Sequence, residues 1–390
     1  MKRYWIVIVI LILLLVFFGM GISDKEKEGS DVMEKRGVFV SYIELNYYLK
    51  GKEVDVSKKN IDKMISNTKE FGFNMIILQV RSFSDAIYPS EIFPWSSTVS
   101  VNEGEDPGYD VLNYFIKKAH QEGILIYAWI NPYRVRTNED VDSISSKNPA
   151  YKYIGTDTLF VQEGIFYNPA KKEVEDLIVS GVLELVNNYR VDGVLFDDYF
   201  YPDENIDMAE YNAFREDNPD ISMDDYHLDV VNQMIERVHE VCEKKGIDFG
   251  VSPDGNISNN YEKLFADVRR WTSSSKYIDF IMPQIYYGFY NETKAFTQVA
   301  SEWDSLITDD SVELMVALAF YKVGVVDNYA KSGSLEWITN DDIIMREIII
   351  SRNLKNYGGF ALFRYDNLFN SSLYTDTSML EIENTKKILK

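Results

Sequence analysis

An α/β fold, a (β/α)8 TIM barrel with elaborated βα loops behind an N-terminal apolar helix, is what this sequence predicts. Three observations carry the prediction. From residue 37 on, short apolar runs of strand length alternate with stretches of helical periodicity. The first run, Gly37–Leu45, is followed by no Gly-rich phosphate loop, which argues against an open doubly wound sheet. The fourth run sits in VDGVLFDDYFYP at Val191–Pro202. It reads as a strand buried on both faces that then releases two carboxylates and several aromatics at its C-terminal end, where barrels of this class build their sites.

Taken in order, the strand-like runs are Gly37–Leu45, Phe73–Arg81, Ile124–Pro132, Val191–Tyr199, Asp248–Asp254, Asp279–Tyr287, Glu313–Lys322 and Gly358–Asp366. Helical periodicity falls between them, at about Ser57–Phe71, Tyr109–Glu122, Glu173–Tyr189, Met223–Lys244, Tyr261–Trp271, Lys294–Leu306 and Asp341–Leu354. Ser222 supplies a capping side chain for the fourth helix. Arg134–Asn168 reads as a long loop inserted after the third strand. No linker rich in Pro, Gly and Ser divides the chain after residue 37, so one domain is expected over residues 37–390.

Ahead of it, Lys2 and Arg3 precede an apolar run from Tyr4 to about Met20, near the lower length limit for crossing a bilayer. Residues 1–22 read as a secretory signal or an uncleaved signal anchor, and residues 23–36 as a charged tether. Charge bias puts the remainder outside the cytoplasmic membrane, either anchored or secreted.

Composition narrows the chemistry. The net charge of −22 argues against nucleic acid and against adsorption to anionic lipid. The single cysteine, Cys242, shares an apolar helix face with Met234, Ile235, Val238 and Val241, and reads as a buried thiol. The three histidines, His120, His227 and His239, fall in helical patterns without metal spacing, so neither a metal nor another cofactor is expected.

In a barrel all eight strand ends meet on one face, so residues distant in sequence converge there. Strand two offers Arg81, Asp85 and Tyr88. Strand three offers Trp129, Asn131 and Arg134, and strand four Asp197, Asp198 and Tyr199. Strand five offers Asp254, and strand six Gln284, Tyr286, Tyr287 and Glu292. Strand seven offers Lys322, and strand eight Arg364 and Asp366. Carboxylates, aromatics and amides without a metal cluster or nucleotide loop suit glycoside cleavage. There one carboxylic acid protonates the leaving oxygen and a second carboxylate attacks the sugar or activates water. Alternation along a strand points Asp197 and Asp198 to opposite sides, so the partner of the sugar-facing aspartate is expected from another strand, with Asp254 and Glu292 foremost.

The motifs QVR…DAIYPSE…PWS at Gln79–Ser96, AHQEGILIYAWINPYR at Ala119–Arg134, YNP at Tyr167–Pro169, VDGVLFDDYFYP, FGVSPDG, ADVRRW at Ala266–Trp271 and DFIMPQIYYG follow one another in a set order. Together, over about Gly37 to Asn370, the chain resembles the glycosyl-hydrolase-like family 10, which includes bacterial envelope enzymes that cleave peptidoglycan glycan strands. The resemblance implies a TIM barrel, glycosidase activity on cell-envelope glycan and a site at the strand-four aspartates. Many members carry a phenylalanine and a tryptophan-arginine pair where this chain has Ser252-Pro253-Asp254-Gly255-Asn256, so Asp254 does not follow from the resemblance.

The expectation is therefore an extracytoplasmic glycoside hydrolase acting on wall or surface polysaccharide. Its rival is a carbohydrate-binding barrel without catalysis. A deacetylase is a weaker third reading, because the histidines supply no metal site.

Overall fold

The computed structural model describes residues 33–389. The apolar segment read as a signal or anchor lies outside them, as does most of the tether. Eight parallel strands close a barrel in sequence order: β1 (Lys35–Val40), β2 (Met75–Arg81), β3 (Leu125–Ile130), β4 (Gly193–Phe196), β5 (Asp248–Val251), β6 (Phe280–Ile281), β7 (Glu313–Leu318) and β8 (Tyr357–Leu362). β1 begins two residues earlier than expected, so Lys35 and Arg36 belong to the barrel and not to the tether.

The alternation of the strands builds two cores. Phe39, Ile77, Trp129, Leu195, Met315 and Ala361 point inward and fill the lumen. Their neighbours Val38, Ile76, Ile130, Val194, Val316 and Leu362 point outward against the helical ring. Each buried side chain of this size contributes roughly 1.5–3 kcal/mol. The lower end of the lumen is closed by polar groups: Lys35 Nζ reaches Glu313 at 2.8 Å and Asp248 at 3.3 Å, and Tyr127 donates to Asp248 Oδ2 at 2.6 Å.

The helices follow the amphipathic stretches. Lys172–Asn188 and Met223–Glu243 pack against each other, and the latter also lies against β5, burying Cys242 and starting at the Ser222 cap.

Departures from the sequence reading concentrate at strand C-termini. β1 stops at Val40 because Ser41 caps the helix Tyr42–Tyr48 and Glu44 completes a capping box. β6 is only two residues long, since Pro283 has no N–H to continue the ladder. β8 ends at Leu362, and Tyr365–Phe369 is a short helix. The expected helix at Tyr261–Trp271 is two short ones, Ile257–Glu262 and Val268–Thr272. The stretch after β3 is not a plain loop: Arg134–Arg136, Leu159–Val161 and Ile165–Tyr167 form a three-stranded antiparallel sheet beside the barrel mouth.

Candidate active site

The register between β3 and β4 sets the site. Trp129 pairs with Leu195, and Ile130 with Phe196, so the next step along both strands brings Asn131 beside Asp197. Trp129 Nε1 donates to Asp197 Oδ2 at 3.0 Å and Asn131 Nδ2 donates to the same oxygen at 3.1 Å. Asn131 Oδ1 accepts the Arg134 N–H at 2.9 Å, which turns the chain back over the barrel mouth. The Arg134 guanidinium lies 4.8 Å from the Tyr199 ring and 5.1 Å from the Phe83 ring.

Asp197 is 3% exposed. Burial raises its pKa, against the opposing effects of the Arg134 charge and the Trp129 and Asn131 hydrogen bonds. The Tyr199 N–H also favours the charged form, but Oδ1 accepts no well-aligned hydrogen bond. Asp198 has a different setting. Burial and the neighbouring Asp197 charge push it up to about 7, with Asp254 adding to the rise and Gln284 opposing it. Asp198 thus holds a proton toward neutral pH, while the Arg134 charge and the Trp129 and Asn131 donors favour the charged form of Asp197 against its burial.

The two aspartates engage different strands, Asp197 reaching Trp129 and Asn131 and Asp198 reaching Gln284, yet both residues border one cleft of about 220 Å³ just past the end of β4 at Phe196. Its walls are aromatic: Phe39, Tyr42, Trp129, Tyr199, Tyr286 and Phe363. A second, more polar pocket of about 240 Å³ shares Asp198, Gln284 and Tyr286 with the first and adds Asp254, Tyr287, Lys322, Asp327 and Tyr329. Asp254 Oδ1 accepts the Asn256 N–H at 2.6 Å and Oδ2 accepts from Asn259 at 3.1 Å, so this carboxylate is fixed at the pocket wall. Lys322 Nζ donates to the Tyr286 carbonyl and to Asp327 Oδ2, both at 2.8 Å.

Six of the residues expected at the mouth are elsewhere. Glu292 is exposed, accepts from Ser332 Oγ at 3.1 Å and pairs with Lys331 at 3.7 Å; the Ser332 hydrogen bonds and the Lys331 charge lower its pKa, and it lines neither pocket. Arg81 lies under the helix Lys172–Asn188, with its guanidinium 4.3 Å from the Phe93 ring, and Tyr88 is buried nearby. Asp85 is buried, accepts the Phe83 N–H at 3.1 Å and lines a separate depression with Glu103 and Arg136. Arg364 pairs with Glu44, and Asp366 accepts from Tyr48 at 3.0 Å; these contacts tie β8 to the helix after β1.

Several lining residues have no place among the expected ones. Gln79 follows the inward Ile77 by two positions, so period two along β2 marks it; its Oε1 accepts the Tyr42 N–H at 2.9 Å. Tyr42 is placed by the Ser41 cap, and Asp327 and Tyr329 by a loop without a periodic signal. Among the described residues no three His, Cys, Asp or Glu side chains group as a metal site.

Comparison with known proteins adds a family and a fold. The family model described as glycosyl hydrolase-like 10 matches residues 34–333. Glycosyl hydrolase DigH of Escherichia coli (strain K12) is 31% identical over 342 residues, covering 79% of this chain and 75% of that protein. Glycosyl hydrolase YngK of Bacillus subtilis (strain 168) is also 31% identical over 342 residues. That match covers 82% of this chain but only 65% of YngK, so the chain spans less than two thirds of that relative. Among solved structures, the PgaB (BpsB) glycoside hydrolase domain from Bordetella bronchiseptica aligns with a TM-score of 0.56 at 14% identity, over 90% of this chain and 98% of that one. The catalytic domain of a beta-amylase from Paenibacillus polymyxa aligns with a TM-score of 0.55 at 10% identity, over 91% and 98%. At such identities the likeness is one of fold.

Proposed function

This chain belongs to the glycosyl hydrolase-like 10 family, and on that premise we propose that it is a glycoside hydrolase acting through Asp198 as general acid and Asp197 as the partner carboxylate. One observation carries the reading. Two aspartates border a single aromatic cleft in different settings, Asp198 pushed up to about 7 by burial and the Asp197 charge, and Asp197 engaged by the Trp129 and Asn131 donors and the Arg134 charge, which favour its charged form. Environments that separate two acids in this way assign the acid and the base.

In the reaction a sugar ring occupies the aromatic cleft. Asp198 gives its proton to the glycosidic oxygen as the C–O bond breaks. Asp197 keeps its negative charge beside the oxocarbenium-like carbon that results. Water then adds to that carbon and yields a proton, which restores the acid. The partner carboxylate thus comes from the same strand end. Asp254 serves instead as a charge that keeps the Asp198 proton in place.

The substrate class we favour is bacterial wall or surface polysaccharide, with peptidoglycan glycan strands first. The aromatic walls suit sugar faces. The net charge of −22 disfavours a nucleic-acid partner. The apolar run after Lys2 and Arg3 supports work outside the cytoplasmic membrane, anchored there or secreted.

The test is digestion of denuded peptidoglycan by the purified protein, with products resolved by chromatography and mass spectrometry. Asp197→Asn and Asp198→Asn should each lower turnover by a factor on the order of 10²–10⁴. Binding without cleavage by the unaltered protein would leave a carbohydrate-binding barrel.

A further inference from the structure

The two pockets at the barrel mouth do not share their carboxylates equally. Asp198, Gln284 and Tyr286 border both. Asp197, with Trp129 and Arg134, borders only the aromatic one. Under the glycosidase reading above, on which this inference rests, the proton donor must reach the oxygen between two sugars, while the partner carboxylate must face the anomeric carbon of one of them. We infer that the polar pocket is the subsite for the leaving-group sugar, that the aromatic cleft holds the sugar whose anomeric carbon is attacked, and that Tyr329 and Lys322 select the leaving group.

The polar pocket is built for such a ligand. Lys322 spends two donors on Asp327 and the Tyr286 carbonyl and borders the pocket. Asp327 is 5% exposed, accepts the Tyr329 N–H at 3.1 Å through Oδ1 and holds Lys322 through Oδ2. One buried carboxylate thus positions both residues. Tyr329 is 89% exposed at the pocket rim, an aromatic face open to a sugar. Asp254, which also borders the pocket, offers further acceptor lone pairs.

The experiment compares two substrates with the same disaccharide glycone: a tetrasaccharide from denuded glycan strands, and the glycosyl fluoride of the disaccharide, whose leaving group is too small to fill the polar pocket or to touch Tyr329. Tyr329→Ala carries the comparison, because so exposed a ring supports little of the fold. Lys322→Met, which leaves Asp327 buried without its partner, is the second variant. Tyr329→Ala should lower kcat/KM on the tetrasaccharide about tenfold and leave fluoride release within about twofold. Equal losses on both substrates, or none on either, overturn the assignment.

If the unaltered protein cuts neither substrate, the glycosidase reading fails while the subsite is still decided by calorimetry on Asp198→Asn. There the tetrasaccharide should bind about tenfold more tightly than the disaccharide, and Tyr329→Ala should remove the gain. Equal affinities for the two lengths in Asp198→Asn overturn the subsite as well.

Discussion

The indole N–H of Trp129 donates to Asp197 Oδ2 at 3.0 Å, so one ring both walls the cleft and holds one of its carboxyl groups. The two roles separate by substitution. Trp129→Phe keeps an aromatic wall and loses the donor. A hydrogen bond to a charged group is worth about 1.5–3 kcal/mol, so kcat should fall about 10- to 100-fold. Trp129→Ala loses the wall as well and should raise KM in addition. Steady-state kinetics on denuded glycan with both variants checks the split.

Asp198 sets the alkaline side of the pH profile. Its pKa is pushed from 3.8 up to about 7 by burial and by the Asp197 charge. Activity that needs its proton should decline as pH rises through about 7, read from the kcat/KM profile of the free enzyme. The same shift bears on stability. The folded protein keeps this proton between about pH 4 and 7, where the unfolded chain has already lost it, so stability falls as pH rises through that window. Asp198→Asn should therefore be more stable than the unaltered protein above pH 7, by a few kcal/mol at most, as denaturant titrations at pH 5 and pH 8 would show.

The path from sequence to site explains what was legible. Buried parallel strands are nearly continuous apolar runs, so Met75–Arg81 and Gly193–Phe196 stand out against their helical surroundings. Their ends are harder to read, because local chemistry takes over there. Ser41 caps a helix and Pro283 breaks a ladder, and both signals compete with the apolar run that precedes them. The aspartates show the same limit. Strand alternation separates their side chains, and their partners, Trp129 and Asn131 for Asp197 and Gln284 for Asp198, lie on different strands, but alternation does not tell that both residues border one cleft. Convergence of strand ends likewise says which residues lie near the mouth and not which turn inward. Arg81 and Arg364 sit at strand ends, yet Phe93 and Glu44 engage them away from the cleft.

Glu292 and Asp254, equivalent in sequence as candidate partners of the aspartates, should behave differently. Glu292 is exposed and engaged by Ser332 and Lys331, so Glu292→Gln should leave kcat/KM within about twofold of the unaltered protein, as surface changes do. Asp254 lines the polar pocket and its charge helps to raise Asp198. Asp254→Asn should lower the Asp198 pKa and move the alkaline limb to lower pH. A profile identical to that of the unaltered protein would remove Asp254 from the electrostatics of the site.

Gly255 is where packing and catalysis meet. A Cβ there would overlap the Gln284 backbone carbonyl and crowd the Tyr287 ring at 3.1 Å. The backbone has no room to retreat, because Trp303 Nε1 donates to the Gly255 carbonyl at 2.9 Å from a fully buried position. Gly255→Ala must therefore displace Gln284, which borders both pockets and donates to the Ser252 carbonyl at 3.0 Å. Overpacking of this kind costs about 1–3 kcal/mol of stability. Because Gln284 also favours the charged form of Asp198, its displacement should raise the Asp198 pKa and carry the alkaline limb to higher pH while kcat/KM falls about tenfold or more. Thermal unfolding paired with a pH profile checks both parts. A loss of stability with an unshifted limb would mean that the methyl is absorbed without moving Gln284.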